Sequence, residues 1–351
     1  MKILRSILIL ASFLMLAASA AAQTSLAPAQ TSSTPAAKPK ARAAAKKPAA
    51  PAATPAPAAT PAATVTPAPE PDDPNVDLVF GAYQRGFSKT SFDLATKRAQ
   101  ENGDPKAMTM LGELYANGFG VKRDDVKAAE WYRRAADAGD REGMFELAML
   151  RIAGRGGPVN REEAVKMLAS SAKLGNPKAA YNLALLYLDG QTLPQDLQRC
   201  AELLRLAADA GSPEAQYALA TFYKEGTGVP KDSEKAVRLL QAASLADNVD
   251  AEVEYAIALF NGTGTPKNEA AAVALLRKAA KQNSPIAQNR LAHVLVSGQG
   301  APMDKIEGLK WHIVAKTAGK GDPMLDEALA DLSPEDRAKA EAAARRWLGT
   351  K

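Results

Sequence analysis

Residues 104–139 read DPKAMTMLGELYANGFGVKRDDVKAAEWYRRAADAG, and the chain repeats this plan six times in steps of 36 residues, without insertion or deletion, to residue 319. One column is unbroken: Gly118, Gly154, Gly190, Gly226, Gly262 and Gly298. Glycine closes a helix here because a left-handed residue costs it no Cβ clash. A second stop column reads Gly139, Gly175, Gly211, Asp247, Asn283 and Gly319. Asp104, Asp140, Asn176, Ser212, Asn248 and Ser284 are all residues that cap a helix N-terminus by accepting from a free backbone N–H. Asp124, Asn160, Asp196, Asp232, Asn268 and Asp304 form a second capping column. Pro105, Pro177, Pro213 and Pro285 follow four of the first caps, where proline's fixed φ suits the first helical residue. Each unit is therefore cap, helix, stop, cap, helix, stop. The expected fold is all-α: a solenoid of antiparallel helix pairs, six repeats with degenerate units capping both ends.

The packing columns keep the same step. Small residues recur at Ala107, Gly143, Ala179, Ala215, Ala251 and Ala287, with Leu111, Leu147, Leu183, Leu219, Tyr255 and Leu291 beside them. In the second helix the bulky column is Trp131, Met167, Leu203, Leu239, Leu275 and Trp311. Small faces let helices approach while large side chains interdigitate, which is how a stack without private cores builds a continuous one.

The pattern Ala107, Leu111-Gly112, Tyr115, Gly118-Phe119-Gly120-Val121, Asp124, Lys127-Ala128, Trp131, Ala135-Ala136, Gly139 resembles the Sel-one-like repeat, a relative of the tetratricopeptide repeat. The resemblance covers residues 104–319. It implies a right-handed superhelix serving as a scaffold for protein–protein contacts. Bacterial members are often exported and act in envelope assembly, signalling regulation or host contact. Some exported relatives carry a disulfide in each repeat. This chain has one cysteine, so that feature does not transfer. The third unit also departs, with Thr192 in place of the second loop glycine and Leu193-Pro194 after it, which predicts a local change in the turn.

Outside the array, residues 1–22 read as a secretory leader. Lys2 and Arg5 precede an apolar run from Ile7 to Ala17, too short to span a bilayer comfortably, and Ala20-Ala21-Ala22 before Gln23 offers a cleavage site. The expected address is periplasmic or secreted, with no membrane insertion once the leader is removed. Residues 23–75 are nearly all Ala, Pro, Thr and Lys, a composition that cannot offset ordering entropy, and read as a disordered tether. Residues 76–103 look like a worn unit, with Ser88 as a candidate cap and Gly103 as its stop; residues 320–351 supply two closing helices beginning at Asp322-Pro323 and Ser333-Pro334.

Of the net charge of +5, the leader contributes two cations, and the tether has Lys38, Lys40, Arg42, Lys46 and Lys47 against Glu70, Asp72 and Asp73. The remainder is thus nearly neutral, which argues against nucleic acid, a partner that needs a concentrated cationic footprint. The tether's cations allow weak attraction to an anionic envelope surface.

Candidate chemistry is sparse. Cys200 stands in an alanine column and reads as a small buried hydrophobe. His293 and His312 lie on different helices without metal-ligand spacing. Gly226-Thr227-Gly228 lacks the strand and Lys-Ser/Thr of a phosphate loop. No catalytic residue, metal or cofactor is expected, and no set of paired carboxylates is placed in one pocket. The informative feature is an apolar stripe along the first helices, expected to line the concave side: Phe145, Met149, Ile152, Tyr181, Leu185, Leu188, Tyr217, Thr221, Val253 and Ile257. Two readings of the stripe stay open, a partner groove or core between units. The expected function is a non-catalytic envelope scaffold binding a peptide or partner protein. The alternatives are a peptidoglycan-binding or peptidoglycan-hydrolysing protein and an exported effector that contacts host proteins.

Overall fold

A computed structural model describes residues 77–349, which fold entirely as helices and connecting loops. The leader (residues 1–22) and the tether (residues 23–75) lie outside the described residues. Two short-connected helices open the stack, α1 (Leu78–Gln84) and α2 (Ser88–Asn102). Six pairs follow: α3 (Pro105–Asn117) with α4 (Asp125–Asp137), α5 (Arg141–Ala153) with α6 (Arg161–Lys173), and α7 (Pro177–Asp189) with α8 (Leu197–Asp209). Next come α9 (Pro213–Glu225) with α10 (Ser233–Leu245), α11 (Val249–Asn261) with α12 (Glu269–Lys281), and α13 (Pro285–Ser297) with α14 (Lys305–Thr317). The closing helices are α15 (Pro323–Ala330) and α16 (Pro334–Leu348).

The capping columns do what their chemistry predicts. In all six units the first cap accepts from a backbone amide of the following turn, as Asp140 does from Gly143 at 2.7 Å. The second column behaves alike. Asp247 and Asn283, which replace glycine in the second stop column, are the non-glycine residues at positive φ among the described residues, 59° and 64°. Short polar side chains tolerate that region best after glycine. In the worn first unit the cap is Phe87, which has no side-chain cap bond, and Ser88 is instead the first helical residue.

Each pair packs on the next, and the buried core is made of clusters that cross from one unit into its neighbours rather than one per unit. Leu168, Leu204, Leu291 and Leu309 are fully buried within it, and Cys200 is buried in its alanine column, its thiol pushed up to about 12 by desolvation. In the third unit Thr192 avoids positive φ, Leu193 packs against the core, and the Gln195 amide closes the loop by donating to the Leu188 carbonyl at 2.9 Å. The turn does change where the second glycine is missing.

Units are also tied by side chains. Arg155 in the loop after α5 donates to Asp125 at the start of α4 at 2.7 Å, holding that carboxyl below its usual range. A less ordinary tie lies deeper. Gln216 and Gln288, at equivalent positions in α9 and α13, donate to the carbonyls of Ala208 and Ala280, closing the end of the preceding helix. The equivalent residue in α11 is Glu252, fully buried, with the Lys278 ammonium 2.6 Å from Oε1. A buried carboxylate without its cation is costly, whereas an uncharged isostere is not. Lys278→Ala is therefore expected to lower the urea midpoint of unfolding. Glu252→Gln, which recreates the neighbouring units' arrangement, should stay within about 1 kcal/mol of the parent in urea denaturation.

Candidate functional site: the first-helix face

The first helices of successive units meet along one side of the stack, with α3 and α5 in direct contact. Two rows of that face reach solvent. One runs Lys106, Glu142, Lys178, Glu214 and Asp250; the other includes Met110, Glu146, Asn182, Glu254 and Arg290. The apolar stripe lies beside these rows. Phe145, Leu185, Leu188, Thr221 and Val253 are buried. Met149, Ile152, Tyr181, Tyr217 and Ile257 are half-buried and packed against the shared core. The five buried residues are taken up by packing, whereas the five half-buried ones pack against the core and keep part of their surface exposed. One residue turns the helix by roughly 100°, so a row one position along points toward the solvent while its neighbour points into the seam.

A recess lies at the N-terminal end of this face. About 440 Å³ is enclosed by α1, α3, α5 and the start of α7, with Phe80, Tyr83, Met110, Glu113, Glu142, Glu146 and Lys178 among its walls. Phe80 and Tyr83 stack with their ring centres 6.5 Å apart on one side. Glu113 is held as an acceptor: Tyr132 donates at 3.1 Å, Asn117 at 2.8 Å and Tyr83 at 3.5 Å. The buried Tyr132 hydroxyl, pinned against this carboxylate, is pushed far up from its usual pKa by desolvation. Thr109 donates to the Asp140 cap at 2.7 Å, so Asp140 serves α5 and the α3 contact at once.

Glu146 differs from Glu113. Among the described residues it has no hydrogen-bond or ion-pair partner, and burial, followed by repulsion from Glu113, pushes its carboxyl from 4.5 up to about 7. Lys178, which opposes that shift, sits over the Phe145 ring 5.9 Å from its centre. Because the folded carboxyl holds its proton more tightly than the unfolded one, the contribution of Glu146 to stability is greatest at low pH. It declines as pH rises from 4.5 toward about 7. Glu146→Gln should flatten that decline and add on the order of 1 kcal/mol above neutral pH, the partial exposure of the site screening the rest. Thermal unfolding of both proteins across this pH range is the check.

This cleft was not read from the sequence. Glu113 and Glu146 lie in different units at different repeat positions, and only the stagger of adjacent first helices brings them together. The two histidines do find carboxylates: His293 meets Asp322 at 3.0 Å and His312, fully buried, meets Asp326 at 2.8 Å. Both aspartates belong to the start of the closing helix α15, so the pairs fasten the C-terminal cap. Among the described residues no cluster of His, Cys, Asp and Glu has metal-binding geometry, and no helix is long and apolar enough to cross a membrane.

Stacked helix pairs with capped ends define an all-α solenoid of helical repeats. The Sel1 repeat model matches residues 105–140, 141–176, 177–212, 213–248, 249–284 and 285–320, and the chain belongs to that family. Such repeats generally mediate protein–protein contacts. Among solved structures, the Sel1 repeat protein of Oxalobacter formigenes is similar at 24% identity over 68% of this chain and 98% of its own, with a TM-score of 0.59. The c5321 protective antigen of uropathogenic Escherichia coli, which displays an SLR fold, shares 24% identity over 75% of this chain and 64% of its own, at a TM-score of 0.52. At these identities the likeness shows the fold alone. No curated protein matches the chain in sequence.

Proposed function

We propose that this protein is a non-catalytic scaffold of the cell envelope that holds an extended segment of a partner protein along its first-helix face. The observation that carries the reading is the cleft at the N-terminal end of that face. Glu142 and Glu146, together with Lys106 and Lys178, project there without ion-pair partners among the described residues, beside the aromatic wall of Phe80 and Tyr83. Charged side chains that are not spent on the fold, next to exposed aromatic area, suit the polar rim and aromatic anchors of a protein interface. The export leader read in residues 1–22 supports an address outside the cytoplasm, and the Pro-rich residues 23–75 would give the stack reach from an attachment point.

The test is capture from envelope extracts with the full chain, a Glu142→Lys/Lys178→Glu double variant, and an outer-face Arg238→Glu control. A specific partner should be retained by the parent and the control, and its capture should fall at least ten-fold with the double variant. Equal capture by all three proteins would move the partner surface elsewhere.

A further inference from the structure

A second recess opens at the other end of the same face, and its chemistry is different. About 270 Å³ lies between α11 and α13, with Ile257, Phe260 and Val294 among its apolar walls. Arg290 stands in its lining, exposed, on the inner row. Lys224, in the neighbouring unit, is 2.6 Å from Glu254, and the His293 ring in the lining meets Asp322 at 3.0 Å. Among the described residues Arg290 has neither a carboxylate nor a hydrogen-bond partner. An unpaired guanidinium beside an apolar hollow selects a ligand with an anionic head and an apolar body, because its planar fork matches a carboxylate bidentately.

We propose that this recess binds the carboxyl terminus of a peptide whose last residue is apolar, the carboxylate on Arg290 and the side chain against Phe260 and Ile257. The volume is below the roughly 300–1,000 Å³ of sites that enclose a whole small molecule, so the pocket takes the end of a ligand. Asn261 and Gln299 at the margin offer amide groups to a peptide backbone, which an acyl chain would leave unused. A separate neighbouring recess of about 210 Å³ shares Ile257 and Asn261 in its lining and reaches residues of α9 and α10, where the preceding residues of a peptide would lie. The assignment rests on the reading of this face as a partner surface and adds the chemistry of one ligand end.

The test is calorimetric titration of the full chain with acetyl-Gly-Gly-Ala-Leu as the free acid and as the C-terminal amide, and with decanoate. The free acid is expected to bind about ten-fold or more tightly than the amide, with Arg290→Gln abolishing the difference and Phe260→Ala weakening both peptides. Arg290 is exposed, so its replacement leaves the fold intact, and unchanged thermal unfolding verifies this. Equal binding of acid and amide, indifference to Arg290→Gln, or no binding of the acid at about 1 mM overturns the proposal. Tighter, Arg290-dependent binding of decanoate also overturns it and reassigns the recess to an acyl chain. Each of these failures leaves the capture experiment at Glu142 and Lys178 free to succeed.

Discussion

Replacing Gly228 by alanine is expected to destabilise the stack by at least about 3 kcal/mol and to split its unfolding into two steps. Gly228 follows α9 at φ +66°, and a Cβ built on it would lie 2.2 Å from the carbonyl oxygen of Leu197, the first residue of α8. The left-handed backbone alone costs an alanine roughly 1–2 kcal/mol. The larger part comes from backbone meeting backbone, which no rotamer change can relieve. The loop and helix must move apart, and they belong to successive units. A solenoid is held by nearest-neighbour interfaces, so weakening one near the middle should uncouple the two halves. Gly211→Ala supplies the internal comparison. It too has positive φ, +90°, but nothing lies within 4 Å of its added carbon. That variant should lose only about 1–2 kcal/mol and keep one transition. Urea denaturation followed by circular dichroism distinguishes the two.

The second large effect concerns the apolar stripe. Leu188 is 2% exposed and Phe145 8%, both packed in the core that α5, α7 and their partners share. Truncating such residues removes transfer free energy and leaves a cavity, so Leu188→Ala and Phe145→Ala should each cost about 3–4 kcal/mol. Glu142→Ala, on the solvent-facing row of the same α5, should change stability by no more than about 0.5 kcal/mol. The contrast separates residues that hold units together from residues that are free to meet a partner. A stripe variant that kept its stability would return Phe145 and Leu188 to the partner surface.

The fold was legible because every unit repeats the same punctuation. Capping side chains and left-handed stops act locally, so a column such as Asn176 or Gly190 carries its structural meaning without knowledge of the rest of the chain. Even the exceptions kept their sense: Asp247 and Asn283 occupy left-handed positions that glycine fills elsewhere, and Thr192 marks the unit whose loop takes another course. Ser88 misled because a capping residue type is evidence only for a neighbourhood, and Phe87 holds the cap position one residue earlier.

The site was less legible. Apolar periodicity identifies the face of a helix that is buried, and in a solenoid that face turns toward the next unit as well as toward the partner helix. Phe145, Tyr181 and Leu185 therefore stood out, while Glu142, Glu146 and Lys178, one helical position away in each case from a packed residue, looked like ordinary surface charge. Their juxtaposition with Glu113 and Tyr83 depends on the stagger between units, which no single repeat encodes. Glu252 escaped notice for the same reason, its cation arriving from Lys278 on the following helix.

The central claim is that the solvent-facing rows of the first helices are the surface that meets a partner, and site-specific photo-crosslinking in cells tests it most directly. A photoreactive residue is placed in turn at Glu142 and Lys178 on the first-helix face, and at Arg238 and Lys166 on second helices. The account predicts one discrete crosslinked protein from Glu142 and Lys178, and none from Arg238 or Lys166. Crosslinks confined to the second-helix positions, or equal from all four, would contradict it.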